Sequence, residues 1–320
     1  MENCYVSIKE GNMKKTKTAV PSSAHRCMGR DGVIREENSG QDRLLEKLYT
    51  SFYGRILLKV LTQPGLSRAA GIFLDRKASC FLIRPFIEKN QMDMRPYVKR
   101  PYRSFNDFFT REILPTERMI DCDPSHLVSP SDGKLSVYPL NETAEFTIKG
   151  SIYTLERILK NPALAKRYEG GYACVFRLCV DDYHRYSYPA DGEKSENIRI
   201  PGILHTVNPV AVESVPVYHE NTREYCLIRT ENFGTLLQME VGAMMVGRIK
   251  NYHGPKQVKK GSEKGRFEFG GSTILLLVQK DRVDFREEFL KHTEQGIETQ
   301  VEMGEWIGTA VCGTGYSGEG

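Results

Sequence analysis

Three short runs constrain this chain most: Tyr172–Val180 (YACVFRLCV), Thr235–Val241 (TLLQMEV) and Thr273–Gln279 (TILLLVQ). Each is rich in β-branched, aromatic or aliphatic residues and is bounded by Gly, Pro, Asn or Asp, so each reads as a short buried strand. After Pro115 helical patterning is sparse, with Tyr153–Leu159 and Pro162–Tyr168 the exceptions. The expectation is an α+β chain: N-terminal amphipathic helices followed by a β-dominated catalytic domain. Hydrophobic residues at 40% and charged ones at 27% exclude wholesale disorder and a polytopic membrane protein.

The helices are expected near the start. Leu44, Leu48, Phe52, Ile56 and Val60 recur every four residues, with Glu46, Lys47, Arg55 and Lys59 on the other face. Pro64 and Gly65 stop that pattern. A second apolar segment, Ile72–Ile87, carries Arg76, Lys77 and Arg84 among Phe73, Leu74, Phe81, Leu82 and Phe86. Between Leu44 and Arg118 basic residues number 14 and acidic ones 7, while the whole chain is only +4; the remainder is therefore mildly acidic. Two readings stand side by side. The stripes cover a core, or they lie in the interface of an anionic membrane.

These shifts divide the chain into a flexible leader (1–43), a basic amphipathic helical membrane-associating region (44–118), a β-rich domain (119–312) and a mobile tail (313–320). No apolar run approaches the roughly 18 residues of a transmembrane helix, and no secretory signal peptide is visible. The chain is expected to be cytosolic or peripheral. The eight cysteines contain no Cys-x-x-Cys pair, so reduced thiols and no metal site are expected.

Four places could carry chemistry. In KGSEKGRFEFGGSTILLLV (Lys260–Val278), Gly270 and Gly271 make a tight bend that brings the Ser272 hydroxyl near the preceding carbonyl carbon. Taken alone, Gly-Gly-Ser-Thr is more often a plain hairpin turn. SPSDGK (Ser129–Lys134) puts Asp132 in a turn before an apolar strand. DDYHRYSYP (Asp181–Pro189) sets His184 among aromatic residues. The small-residue rhythm of Glu231–Gly247 suggests close backbone approach.

Read together, these stretches resemble the phosphatidylserine decarboxylases, pyruvoyl-dependent enzymes made as self-cleaving proenzymes. The resemblance runs from about Leu44 to Ile307. It rests on SFNDFFTREI (Ser104–Ile113), SPSDGKL (Ser129–Leu135), DYHRYSYP (Asp182–Pro189), TVNP (Thr206–Pro209), NTREYCLI (Asn221–Ile228), VGAMMVGRI (Val241–Ile249), KGSEKGRFEFGGST (Lys260–Thr273) and MGEWIG (Met303–Gly308).

The resemblance implies cleavage between Gly271 and Ser272, giving chains 1–271 and 272–320. Ser272 would attack the Gly271 carbonyl, and β-elimination and hydrolysis would leave a pyruvoyl group. That ketone would form a Schiff base with the substrate amine and accept electrons as CO₂ leaves. In the family an Asp and a His serve the Ser in a triad-like relay. Asp132 matches that aspartate. The family pattern is His-Arg-x-His, and here His184 matches the first histidine while Ser187 replaces the second. Either His184 serves both steps, or His205, in LHTVNP, supplies the imidazole.

The partners implied are phosphatidylserine, an anionic membrane surface at the cytoplasmic face of the cell membrane, the two cleaved chains and a second copy in a homodimer. Nucleic acid is not among them. Two alternatives stay open: a pyruvoyl-dependent decarboxylase of a soluble amino acid, and an unprocessed, non-catalytic lipid-binding relative.

Overall fold

The computed structural model describes residues 25–37, 48–49, 51–148, 151–206, 217–243, 248–268 and 272–311. A hairpin of β1 (His25–Met28) and β2 (Ile34–Glu37) comes first. This corrects the expectation of a leader without structure up to residue 43, because β1 pairs in parallel with a C-terminal strand, Arg26 opposite Ile297. The start of the expected helix, residues 44–47, and the tail from 312 lie outside the described residues.

Helices α1 (Phe52–Leu61) and α2 (Pro64–Leu74) are separated at Gln63, with Pro64 in the first turn of α2. Pro64 thus stops one helix and starts the next, since its fixed φ suits a first turn and its missing N–H is not needed there. The apolar segment Ile72–Ile87 is not one helix. It is split into the end of α2, a 3₁₀ stretch Lys77–Leu82 and α3 (Ile83–Lys89). Ser79 makes the break: its hydroxyl bonds Leu74 O and Arg76 O and accepts from Phe105 N at 2.8 Å. Helix α4 (Phe105–Phe109) is capped by Ser104, whose hydroxyl accepts from Asp107 N, a standard helix start.

The rest is mostly strand. Along the chain come β3 (His126–Val128), β4 (Gly133–Pro139), β5 (Glu145–Ile148) and β6 (Ser151–Thr154). Helices α5 (Leu155–Leu159) and α6 (Pro162–Lys166) follow, then β7 (Tyr172–Leu178), β8 (Arg185–Ser187), β9 (Gly192–Lys194) and β10 (Ile198–Ile200). Helix α7 (Val217–Glu220) precedes β11 (Arg223–Arg229), β12 (Thr235–Val241), β13 (Arg248–Asn251), β14 (Lys256–Val258), β15 (Glu263–Glu268) and β16 (Ser272–Val278). Last are β17 (Val283–Phe285), α8 (Glu287–Glu294), β18 (Ile297–Val301) and β19 (Trp306–Ala310).

The three runs that opened the sequence argument are β7, β12 and β16, and they lie side by side. The long sheet runs β14-β9-β11-β12-β16-β7-β4-β18-β1-β2. Strand β16 is therefore paired on both edges, antiparallel to β12 and to β7. Its side chains divide between two cores: Leu275 and Leu277 pack on one face with Tyr153, Tyr218 and α5. Ile274, Leu276 and Val278 pack on the other with Tyr186 and Phe267 of the small sheet β13-β15-β8. Burial on both faces is why the sequence of β16 is continuously apolar rather than alternating.

The N-terminal helices seat on α4. Phe86 meets Phe105 edge-on at 5.2 Å and Phe108 at 6.0 Å, and Leu74 is buried. Ile72, Phe73 and Phe81 face solvent, Phe81 with 67% of its surface exposed. The core-covering reading holds for the side packed on α4, and the other side leaves Ile72, Phe73 and Phe81 exposed. Among the described residues no helix is long and apolar enough to cross a membrane.

Candidate active site

Ser272 opens β16, and the register fixes its neighbours. It lies opposite Leu178, the last residue of β7, and Lys134 opposite Arg177 puts Gly133 one step on, beside Leu178. On the other edge Thr273 faces Val241, so the next residue, Gly242, stands beside Ser272. One rim of the sheet thus presents Gly133, Leu178, Ser272 and Gly242 in a row. Adjacent strands are about 4.8 Å apart, which places Asp132 near one end of this row about two strands from Ser272. Gly133 is required there: its φ is +144°, and a Cβ would lie 2.8 Å from Arg177 O.

Ser272 is fully buried, and among the described residues its Oγ has no hydrogen-bond partner. In step with Ile274, the side chain belongs to the face covered by the small sheet. A buried hydroxyl left unmatched costs about 1–3 kcal/mol. Gly270 and Gly271, the other half of the expected cleavage bend, lie outside the described residues.

His184 follows the loop that leaves β7. It is fully buried, its carbonyl accepts from Phe267 N of β15 at 2.9 Å, and its ring packs against Phe109 at 4.2 Å. Two residues before Tyr186, it is in step with the side of β8 that faces the long sheet. Nδ1 lies 2.9 Å from Asp182 O. A carbonyl only accepts, so Nδ1 carries the proton and Nε2 is the acceptor nitrogen of the neutral ring. The loop itself is fixed: Cys179 N donates to Asp182 Oδ2, and buried Arg111 donates to Asp181 O.

Asp132 is buried and engaged in a way the sequence did not announce. Arg118 grips it in a fork, Nε to Oδ1 at 2.8 Å and Nη2 to Oδ2 at 2.5 Å, and Met303 N donates to Oδ1 at 2.9 Å. Burial works against the Arg118 charge, but Asp132 and Glu302 outweigh it and hold the guanidinium above its ordinary value. Among the described residues Oδ2 has one hydrogen-bond donor and keeps room for a second. Nothing in the spacing of residues 118 and 132 signals this pair.

His205 is fastened elsewhere. Its Nδ1 faces Tyr49 Oη at 3.3 Å and its Nε2 faces Glu220 Oε2 at 3.2 Å. Burial lowers its pKa, against the opposing pull of Glu220. Asn221 and Gly242 separate it from Ser272. The position of the missing second histidine, Ser187, is held against the turn before Asp132: its N donates to Pro130 O at 2.8 Å, and its Oγ lies 3.4 Å from the same oxygen. Among the described residues no hydrogen bond joins Ser272 to Asp132, His184 or His205.

The comparisons with known proteins identify the chain as a carboxy-lyase. A family model described as phosphatidylserine decarboxylase matches residues 105–309. The chain is 46% identical over 265 residues to phosphatidylserine decarboxylase proenzyme 2 of Clostridium acetobutylicum, covering 82% of this chain and 91% of that one. It is 38% identical over 282 residues to the phosphatidylserine decarboxylase proenzyme of Clostridium botulinum, covering 86% and 95%. With that of Fusobacterium nucleatum the identity is 39% over 284 residues, covering 87% and 94%. The chain belongs to the phosphatidylserine decarboxylase family.

Proposed function

We propose that this chain is a proenzyme that cuts itself between Gly271 and Ser272 and then converts phosphatidylserine to phosphatidylethanolamine and CO₂. The observation that carries the reading is the buried, unmatched hydroxyl of Ser272 at the head of a strand paired on both sides, inside the span matched by the family.

Ser272 Oγ attacks the Gly271 carbonyl carbon, and the C–N bond of that peptide breaks as its nitrogen becomes the amine of residue 272. His184, with its proton on Nδ1, takes the hydroxyl proton at Nε2. Asp132, held by Arg118 and Met303 N, is the carboxylate of the site, while the His184 ring takes its orientation from Asp182 O. Loss of the Ser272 α-proton then expels the Gly271 carboxylate from the ester, and water replaces nitrogen as ammonia departs. A pyruvoyl group formed this way fits the residues present, since its precursor hydroxyl is buried and, among the described residues, has no hydrogen-bond partner. When in place, such a ketone supplies an electron sink for the bond pair released with CO₂.

Cleavage leaves the pieces together. Residues 272–320 keep β16 between β12 and β7, β18 between β4 and β1, and β19 beside β3. Arg177–Glu298 and Met303 N to Asp132 add polar ties across the same divide.

The substrate is brought from a membrane at its cytoplasmic face. Exposed Ile72, Phe73 and Phe81 stand beside Arg76, Lys77 and Arg84, an apolar surface rimmed by positive charge in the region 44–118. Vesicles containing phosphatidylserine should yield phosphatidylethanolamine and CO₂ with the purified protein, and free serine should yield neither. Charge reversal at Arg76, Lys77 and Arg84, or added salt, should lower the vesicle rate at saturating soluble short-chain lipid turnover. Turnover of serine with none of the lipid contradicts the proposal and favours a soluble amino-acid substrate.

A further inference from the structure

Asn221 is fully buried between α7 and β11, and every polar group it owns is used. Its N donates to Val217 O at 2.9 Å, and its O accepts from Arg223 Nη1 at 2.7 Å. Its carboxamide accepts from His205 N at 2.9 Å and donates to His205 O and Gly242 O, each at 2.8 Å. One rigid plane thus joins two backbone segments that no strand pairing connects.

Each segment leads somewhere. Gly242 is the residue beside Ser272 on the rim, fixed by its own N to Thr222 O at 2.9 Å. Residues 204–206 carry the N-terminal helices: Leu204 N donates to Thr62 O at 3.0 Å and Thr206 N to Tyr49 Oη at 3.3 Å. We infer that Asn221 is a positioning residue for the reaction at Ser272, holding the β12 end beside that serine in register with the segment on which the N-terminal helices sit. The inference rests on the reading of Ser272 as the reacting residue.

The job needs an acceptor and two donors on one short plane, which only a carboxamide of this length provides. Asn221→Asp keeps the acceptor for His205 N and turns both donations into oxygen–oxygen repulsion. Asn221→Ala removes all three bonds. Misplacement of a reacting group by about 1 Å can cost about a hundredfold in rate.

Newly synthesised chains of wild type and both variants can be followed for self-cleavage on denaturing gels, with amide exchange measured over 236–243 and 272–278. Cleavage should slow at least about tenfold, with faster exchange confined to the rim ends of β12 and β16. Wild-type cleavage rates in both folded variants would overturn the inference, and so would exchange that rises evenly over the whole sheet, the mark of a merely structural residue. An uncut wild-type chain would remove the reading of Ser272, and the exchange comparison would then decide the positioning claim by itself: unchanged exchange at the rim refutes it. Should Asn221→Asp fail to fold, Asn221→Ala decides both measurements.

Discussion

His184 and His205 are separated by what holds them. The His184 ring is set by a backbone carbonyl at Nδ1 and an aromatic face, which leaves Nε2 as the nitrogen for proton transfer. The His205 ring has both nitrogens facing partners, Tyr49 and Glu220, on the far side of Asn221. His184→Ala should therefore leave an uncut chain, whereas His205→Ala should cut and lose mainly the anchorage of Tyr49. Pulse-chase gels read both, and the opposite pattern would hand the relay to His205. The sequence pointed to Ser272, Asp132 and His184 because each sits in a dense local motif. It was silent on Arg118 and gave Asn221 and Met303, which open quoted motifs, no role, because their partners lie far along the chain or are backbone atoms.

Among the elements, β15 and β12 are joined by a pair that contributes nothing to the relay. Lys264 and Glu240 are both fully buried, with Lys264 Nζ 2.8 and 2.7 Å from the two carboxylate oxygens and 2.7 Å from Asn251 Oδ1. Burial pushes the Glu240 carboxyl up, and Lys264 pulls it back. Lys264→Met should destabilise the fold by about 3–5 kcal/mol by stranding a buried charge, and Lys264→Met with Glu240→Leu should recover much of that; urea midpoints measure both. Helix α7 offers a pH readout. His219 Nε2 accepts from Thr154 N at 3.1 Å, and burial, with Arg157 and Arg223 nearby, lowers its pKa to about 4. A histidine depressed in the fold stabilises it fully above its unfolded value near 6.5, and the contribution fades as pH falls from there toward 4. His219→Gln should flatten that part of the stability profile, and an unchanged slope would place the titration elsewhere. The central strands were legible because their composition alone demands burial. Helix α8 (EEFLKHTE) was not, since only Phe289 of it is buried and Glu287, Glu288, Lys291 and Glu294 make half of it charged. The β1–β2 hairpin escaped notice because its pairing partner is β18, at the other end of the chain.

At the scale of the whole molecule, the small C-terminal piece is woven through the large one rather than appended to it. Three of its strands pair with strands from before residue 271. On the proposed reading, a chain cut at that place would stay paired through these strands, which is what a proenzyme needs if the new terminus is to remain in a buried site. The sheet order that makes this so was not readable from the sequence, which shows strands but not their neighbours. The whole account stands on the event at the head of β16, and intact-mass measurement of the purified protein tests it most directly. The wild type should give two masses, those of residues 1–271 and of residues 272–320 with a pyruvoyl group in place of Ser272, while Ser272→Ala should give one uncut chain. A single full-length mass for the folded wild type, or a cut Ser272→Ala chain, would contradict the account.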